Sequence, residues 1–355
     1  MIATALLREP QLAAREIGLR YVSDDMPGIR RQPRGRGCAY IDPHGRRIDD
    51  VDVLQRIYEL VIPPAWRDVW ICPSPNGHLQ ATGRDDAGRK QYRYHAKWQE
   101  ARSHTKYQHL LTFAEGLPRL RRKIDADLKR RGLDRERVIA AVVRLLDITL
   151  IRVGNEEYAQ LNGSFGLTTL RRKHVAVRRG EIEFHFKGKS GQEHELLARE
   201  ERVARVLRRC HELPGQRLFK YVDEQGEPQV VSSDDVNDYL RAATGYDVTA
   251  KDFRTWGGTV LAAMILSHAE PCRSEAHAKR VVTAAVKRVA SKLGNRPATC
   301  RKHYIHPFVL DCYREGRLCG LIKADPSERD VPRRGLSAEE AAVVRLLRKC
   351  TSAAA

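Results

Sequence analysis

The feature that most limits how this chain can fold is a change of hydrophobic period about a third of the way along it. From about Leu117 onward, apolar residues recur at helical spacing: Leu120, Ile124 and Leu128, then Val138, Ala141, Val142, Leu145, Leu146 and Ile148. Ahead of that point the chain is rich in Pro and Gly, and its short apolar stretches, around residues 38–42 and 69–72, read as strands. Two such halves call for two cores, and 355 residues suffice for both at about 150 residues per domain. We therefore expect an α+β protein. A small β-rich N-terminal domain would cover residues 1–116, and a larger, mainly α-helical domain residues 117–355, parting near residues 116–118.

One segment of the helical part departs from helix. Val175 and Val177 share a period of two, Arg179-Gly180 turns, and Ile182, Phe184 and Phe186 alternate with polar residues, which predicts a hairpin. Gly188-Lys189-Ser190-Gly191 makes a second turn before a third strand at 194–197, so a three-stranded antiparallel sheet should carry Lys189 at a turn tip. Helices resume afterwards. Ser232-x-x-Asp235 and Thr249-x-x-Asp252 have the form of capping boxes and predict helix starts near 234 and 251. Ala278, Val281, Val282, Ala285, Val286, Val289 and Leu293 line one face of a long helix that Gly294 ends.

Charge narrows the partner. Sixty-four Lys and Arg against forty-five Asp and Glu leave +19, a surplus suited to a polyanion, with nucleic acid foremost. Arg8, Glu9 and Arg15 interrupt the first twenty residues, so no signal peptide is expected there. The longest apolar run, residues 257–266, is too short for a bilayer, and a cytoplasmic protein without a membrane partner is expected. Eight cysteines are scattered without a Cys-x-x-Cys pair, which favours reduced thiols over a disulfide framework or zinc site.

Several familiar chemistries lack their residues. Gly188-Lys189-Ser190 lacks the earlier glycine of a phosphate-binding loop, because position 183 is Glu. No His-Glu-x-x-His occurs, and no cluster of carboxylates at ligand spacing accompanies a nucleophile, so no metal or cofactor is expected. Phosphodiester chemistry here would have to run on cations.

The cations that stand out are each ambiguous alone. Arg89, Lys90, Tyr92, Arg93 and Tyr94 interleave charge with rings, as nucleic-acid binding requires, but a strand with inward tyrosines has the same pattern. Arg152 ends an apolar helix before Gly154, where a surface arginine capping carbonyls is the bland alternative. Arg254, with Lys251 beside it, falls in the first turn of the helix after Thr249, where backbone N–H groups favour an anion. Tyr304 follows Arg301, Lys302 and His303; a phenol with pKa about 10 needs such cations to act as a nucleophile.

Taken in order, Ile151-Arg152-Val153-Gly154, a strand entry at Gly166-Leu167-Thr168-Thr169-Leu170, Gly188-Lys189, Lys251-Asp252-Phe253-Arg254-Thr255-Trp256-Gly257, Leu293-Gly294-Asn295-x-Pro297 and Tyr304 resemble the signature elements of type IB DNA topoisomerases of the short, poxvirus-like bacterial kind. Pro63-Pro64-Ala65-Trp66 and Gln91-Tyr92-Arg93-Tyr94 extend the resemblance to the N-terminal part. It implies that Tyr304 attacks a DNA phosphodiester to give a 3′-phosphotyrosyl bond, with Arg152 and Arg254 on the phosphate oxygens and Lys189 as general acid. Asn295 stands nine residues before the tyrosine, where poxvirus relatives carry histidine; its amide can donate but cannot titrate. Lys251, Tyr158, Arg89, Lys90, Tyr92 and Tyr94 would contact duplex DNA, the N-terminal domain would act as a clamp, and a nucleoid-associated monomer is implied.

A tyrosine recombinase uses a related Arg, Lys, Arg and Tyr set, but usually shows His-x-x-Arg where this chain has Lys251. A non-catalytic DNA-packaging protein would account for the charge and leave the ordered set unexplained. Beyond residue 326, a short amphipathic stretch at 338–347 either extends DNA contacts or packs on the catalytic domain.

Overall fold

The computed structural model describes residues 10–35, 37–323 and 335–353, and the side chains of all of these except 103–108, 158 and 351–353. It is α+β, and its chain divides into two compact units at His109/Leu110. No helix among the described residues is long and apolar enough to cross a membrane.

The N-terminal unit starts with α1 (Pro10–Glu16) and is built on β1 (Ile29–Arg34), β2 (Gly37–Ile41), β3 (Arg67–Ile71), β4 (Leu79–Arg84) and β5 (Lys90–Tyr94). They form one antiparallel sheet in the order β2-β1-β3-β4-β5. Helix α2 (Val51–Glu59) is capped by the Asp50 carboxylate, which accepts from the backbone N–H groups of Asp52 and Val53. Its Ile57 meets Ile29, Val69, Ile71 and Ala81 in the core of this unit. The alternate residue Trp70 belongs to a second cluster with Cys72 and Leu79, and donates its indole N–H to the Met26 carbonyl at 2.9 Å.

Helix α3 (Ala96–Asp127) runs through Gly116 and Pro118, and the division of the chain falls earlier in this helix than the expected 116–118. Gly116 serves tertiary packing. A β-carbon on Gly116 would lie 3.1 Å from the Thr244 methyl, so the glycine lets another helix approach closely.

In the second unit, α4 (Arg135–Thr149) is the buried centre; Asp134 caps its start, and nine of its residues are buried. After α5 (Glu156–Asn162) come β6 (Val175–Arg178), β7 (Glu181–Lys187) and β8 (Glu193–Arg199), the expected antiparallel sheet in the order β6-β7-β8. Ile182, Phe184 and Phe186 face inward, as the alternation predicts. Then follow α6 (Glu201–Glu212), the small ribbon β9 (Lys220–Val222) and β10 (Pro228–Val230), α7 (Ser233–Thr244), α8 (Ala250–Ser267) and α9 (Glu275–Leu293). Ser232 and Thr249 form the expected capping boxes with Asp235 and Asp252, and Gly294 closes α9 at φ +58°.

The chain continues through α10 (Pro297–His303), α11 (Pro307–Arg314), α12 (Leu318–Lys323) and α13 (Ala338–Ala353). Helix α13 packs into the main core through Val343, Leu346 and Leu347. Its Glu340 accepts from Arg121 at 2.7 and 2.8 Å and from the Trp256 indole of α8 at 3.0 Å. Arg121 is bound on its other side by Asp147, at 2.8 and 2.9 Å. Residues 326–334, including Arg333 and Arg334, lie outside the described residues.

Candidate active site

A cleft of about 320 Å³ in the second unit is lined by Arg152, Lys189, Lys251, Arg254 and Tyr304, together with Val153, Gly154, Asn155, Ser164, Phe165 and Ala250. Residues far apart in sequence meet there because separate local devices aim each of them.

Arg152 is held from behind. Leu150 ends α4 in the left-handed region at φ +58°, and the extended chain that follows is pinned by N–H donors: Leu167 to the Arg152 carbonyl at 2.9 Å, Thr168 to that of Val153 at 2.7 Å. These donors belong to a single 3₁₀ turn, Leu167–Thr169, where the sequence suggested a strand entry. The glycine just before this turn permits the close approach: a β-carbon on Gly166 would stand 2.5 Å from the Gly154 nitrogen.

Lys189 begins the β7–β8 turn, as expected, with Ser190 at φ +63° and Gly191 at φ +74°, and its side chain is exposed. Lys251 lies in the first turn of α8 and is exposed. Arg254 lies just beyond the first turn, where the sequence placed it, and is only 4% exposed. Its guanidinium donates to the Leu150 carbonyl and, at 2.7 Å, to the Leu293 carbonyl. Its central carbon stands 5.2 Å from the centre of the Tyr304 ring.

Tyr304 caps the C-terminal end of α10, its N–H bonded to the Cys300 carbonyl at 2.9 Å. Asn295 lies in the α9–α10 connection and accepts from the Arg152 guanidinium, which also reaches the Gly294 carbonyl at 3.4 Å. Arg152 is therefore half-buried and does hold a carbonyl, yet still faces the cleft.

The electrostatics are lopsided. Burial, with Arg152 close by, lowers the Arg254 guanidinium to about 10, and burial lowers Arg152 as well. Both remain cations at neutral pH. Among the described residues lining the cleft there is no carboxylate to compensate them. The Arg254 Nε and the Asn295 side-chain NH₂ are buried with no hydrogen-bond partner. Uncompensated buried cations and orphaned donors make this a place for an anion with several acceptor oxygens.

The other expected contacts belong to the N-terminal unit. Tyr92 and Tyr94 stack at 5.9 Å on one face of β5, Tyr92 exposed and Tyr94 half-buried against the Trp98 cluster, so one ring is open to solvent and the other packs inward. Lys90 pairs with Asp24 at 2.7 Å and Arg89 with Asp85 at 2.8 Å. Tyr158 sits on α5, and its side chain is outside the described residues.

Sequence reasoning missed the cleft walls Asn155, Ser164 and Phe165, and the close approach of Tyr304 to Gly258, which adjoins Gly257 inside α8. Two adjacent glycines inside a strong helical pattern are the signal that could have exposed the latter.

The model of the eukaryotic DNA topoisomerase I catalytic core matches residues 95–315, and that of the bacterial DNA topoisomerase IB N-terminal domain matches residues 37–85. The chain is 32% identical over 297 residues to a DNA topoisomerase 1B of Acanthamoeba polyphaga mimivirus, covering 81% of this chain and 88% of the relative. It is 21% identical over 244 residues to the DNA topoisomerase 1B of vaccinia virus, covering 68% of this chain and 74% of the relative. With a catalytic-core match over more than half its length, the chain belongs to the short-form type IB DNA topoisomerases, enzymes of the isomerase class.

Proposed function

We propose that the protein relaxes supercoiled duplex DNA through a transient single-strand break, carried by a 3′-phosphotyrosyl bond to Tyr304. The observation that carries this reading is the cleft in which Arg152, Lys189, Lys251 and Arg254 surround that tyrosine without a carboxylate among its described lining residues.

The Tyr304 oxygen attacks phosphorus, its proton passing to water, and the bond from phosphorus to the 5′-oxygen breaks. Negative charge gathers on the non-bridging oxygens, where the forked donors of Arg152 and Arg254 meet it and the orphaned Asn295 NH₂ adds a neutral hydrogen bond. Lys189, on its exposed turn, gives a proton to the departing 5′-oxygen. The duplex swivels, and the 5′-hydroxyl reverses the reaction. Because the phosphotyrosyl bond stores the phosphodiester energy, no step calls for ATP. The cations take the charge-neutralising place that a divalent metal holds in other phosphoryl transfers.

Lys251 and the N-terminal unit, with Arg89, Lys90, Tyr92 and Tyr94, hold the duplex, and Tyr158 is assigned to it as well; the clamp role belongs to this reading. Action as a monomer on nucleoid DNA in the cytoplasm belongs to the same reading.

Denaturing a reaction on duplex labelled at the 5′ end of the cleaved strand tests the linkage. We expect label on the peptide that contains Tyr304. Label retained only from the 3′ end of that strand would overturn it.

A further inference from the structure

The ring of His194 occupies a place that no step above uses. It is the cross-strand neighbour of Phe186 in the β7–β8 pair, and the two rings stack at 4.9 Å with an 11° interplanar angle. Its other edge is wedged between two glycines. A β-carbon on Gly188 would stand 2.6 Å from the ring Cδ2 and Nε2, and one on Gly294 would stand 2.5 Å from Cε1. Gly188 directly precedes Lys189, which lines the cleft, and Gly294 directly precedes Asn295, the hydrogen-bond partner of Arg152. One ring therefore touches the start of the turn that carries the lysine and the end of the helix that leads to the Arg152 partner.

The turn needs such a support. It is closed by the Gly188 N–H to the Gln192 carbonyl at 2.8 Å and the Gly191 N–H to the Gly188 carbonyl at 3.1 Å, and two of its residues have positive φ. Nothing in that pattern sets how far its tip stands from the phosphate cations. The ring can do so, because Phe186 behind it is buried in the core. Burial, with Arg152 and Arg254 nearby, lowers the His194 imidazole, which keeps it a neutral spacer at pH 7.

We propose that His194 is a positioning residue for the cleavage reaction: wedged between Gly188 and Gly294, it fixes the lysine-bearing turn against the α9–α10 turn and so sets where Lys189 delivers its proton. This rests on the assignment of Lys189 as the acid.

The test is single-turnover cleavage of a duplex carrying the enzyme's mapped cleavage site, with either an oxygen or a sulfur at the bridging 5′ position; sulfur leaves without a proton. His194→Ala should slow the oxygen substrate about 10- to 100-fold, the scale of a misplaced catalytic group, and the sulfur substrate less than about 3-fold. Gly188→Ala should show the same pattern, because its backbone, at φ −93°, suits alanine while its methyl drives into the ring. Adding His194→Ala to Gly188→Ala should cost nothing more, since the methyl then has room. Equal slowing of both substrates by His194→Ala, or no slowing of either, overturns the proposal.

Lys189→Ala separates this from the acid assignment. If sulfur fails to rescue Lys189→Ala, the assignment falls, and the double variant decides the coupling. His194→Ala adding no further loss to Lys189→Ala upholds the coupling; a full multiplicative loss overturns it.

Discussion

The backbone of Tyr304 rests on Gly258: a β-carbon there would stand 2.5 Å from the Tyr304 carbonyl oxygen. Gly258 is one helical turn after Arg254 on α8, so the two share a face. The glycine lets the tyrosine come close enough to lie beneath the arginine, 5.2 Å from guanidinium carbon to ring centre. Gly258→Ala must displace Tyr304. We expect single-turnover cleavage to fall about 100-fold, as for an ångström-scale displacement of a reacting group, with DNA affinity within about 2-fold of wild type by a filter-binding assay. Wild-type cleavage would contradict this contact.

Arg254 has a structural load besides its place in the cleft, since it joins the carbonyl that ends α4 to the one that ends α9. Arg254→Ala strands both, at about 1–3 kcal/mol for each buried acceptor. Arg254→Lys keeps the charge but has no fork to span them. Thermal unfolding should place Lys between Ala and wild type, while cleavage is lost in both. A lysine variant with wild-type cleavage would show that the fork is dispensable.

Helix α13 is fastened to α3 by an ion pair and to α8 by a hydrogen bond, as well as by apolar packing. Burial alone would raise the Glu340 carboxyl, but the Arg121 guanidinium more than offsets it and holds it below its usual range. Glu340→Ala removes one of the two carboxylates that hold Arg121, leaving it Asp147, and orphans the Trp256 indole. The loss should be about 3 kcal/mol, the low end for a broken buried pair, and about 6–12 °C in melting temperature. Calorimetry showing no change would mean that α13 docks through its leucines and valines alone.

Histidines set the acid limit of stability. Burial lowers His78, His95, His174, His194 and His211 below the ordinary imidazole value of 6.5. The folded state then binds fewer protons than the unfolded chain, so this contribution is whole above pH 6.5 and is lost as pH falls below it. The lowered carboxyls, such as Asp235 and Glu340, add losses only below their ordinary values of 3.8 and 4.5. Melting temperatures should be level between about pH 7 and 8 and decline between 6.5 and 5.5. A level profile down to 5.5 would contradict the burial of these rings.

What could be read from the sequence was what local chemistry decides. The hairpin with Lys189 at its tip follows from alternation and two glycine turns, and the ends of α7, α8 and α9 follow from Ser232, Thr249 and Gly294. What could not be read was decided by distant neighbours. Gly116 reads as part of a domain boundary but serves the approach of Thr244 inside a helix, and Gly166 reads as a strand entry but serves the approach of Gly154. Arg254 reads as an anion-binding residue at a helix start, but its burial under the carbonyls of Leu150 and Leu293 could not be read. His194 gives no signal of its own, because its role depends on two glycines that flank it only in space.

Relaxation of a negatively supercoiled plasmid in EDTA, without ATP, tests the central claim most directly when wild type is compared with Tyr304→Phe. The variant keeps the ring beneath Arg254 and loses only the attacking oxygen. Wild type should convert the plasmid to relaxed topoisomers, and Tyr304→Phe should bind it and leave it supercoiled. Relaxation by Tyr304→Phe would contradict the account.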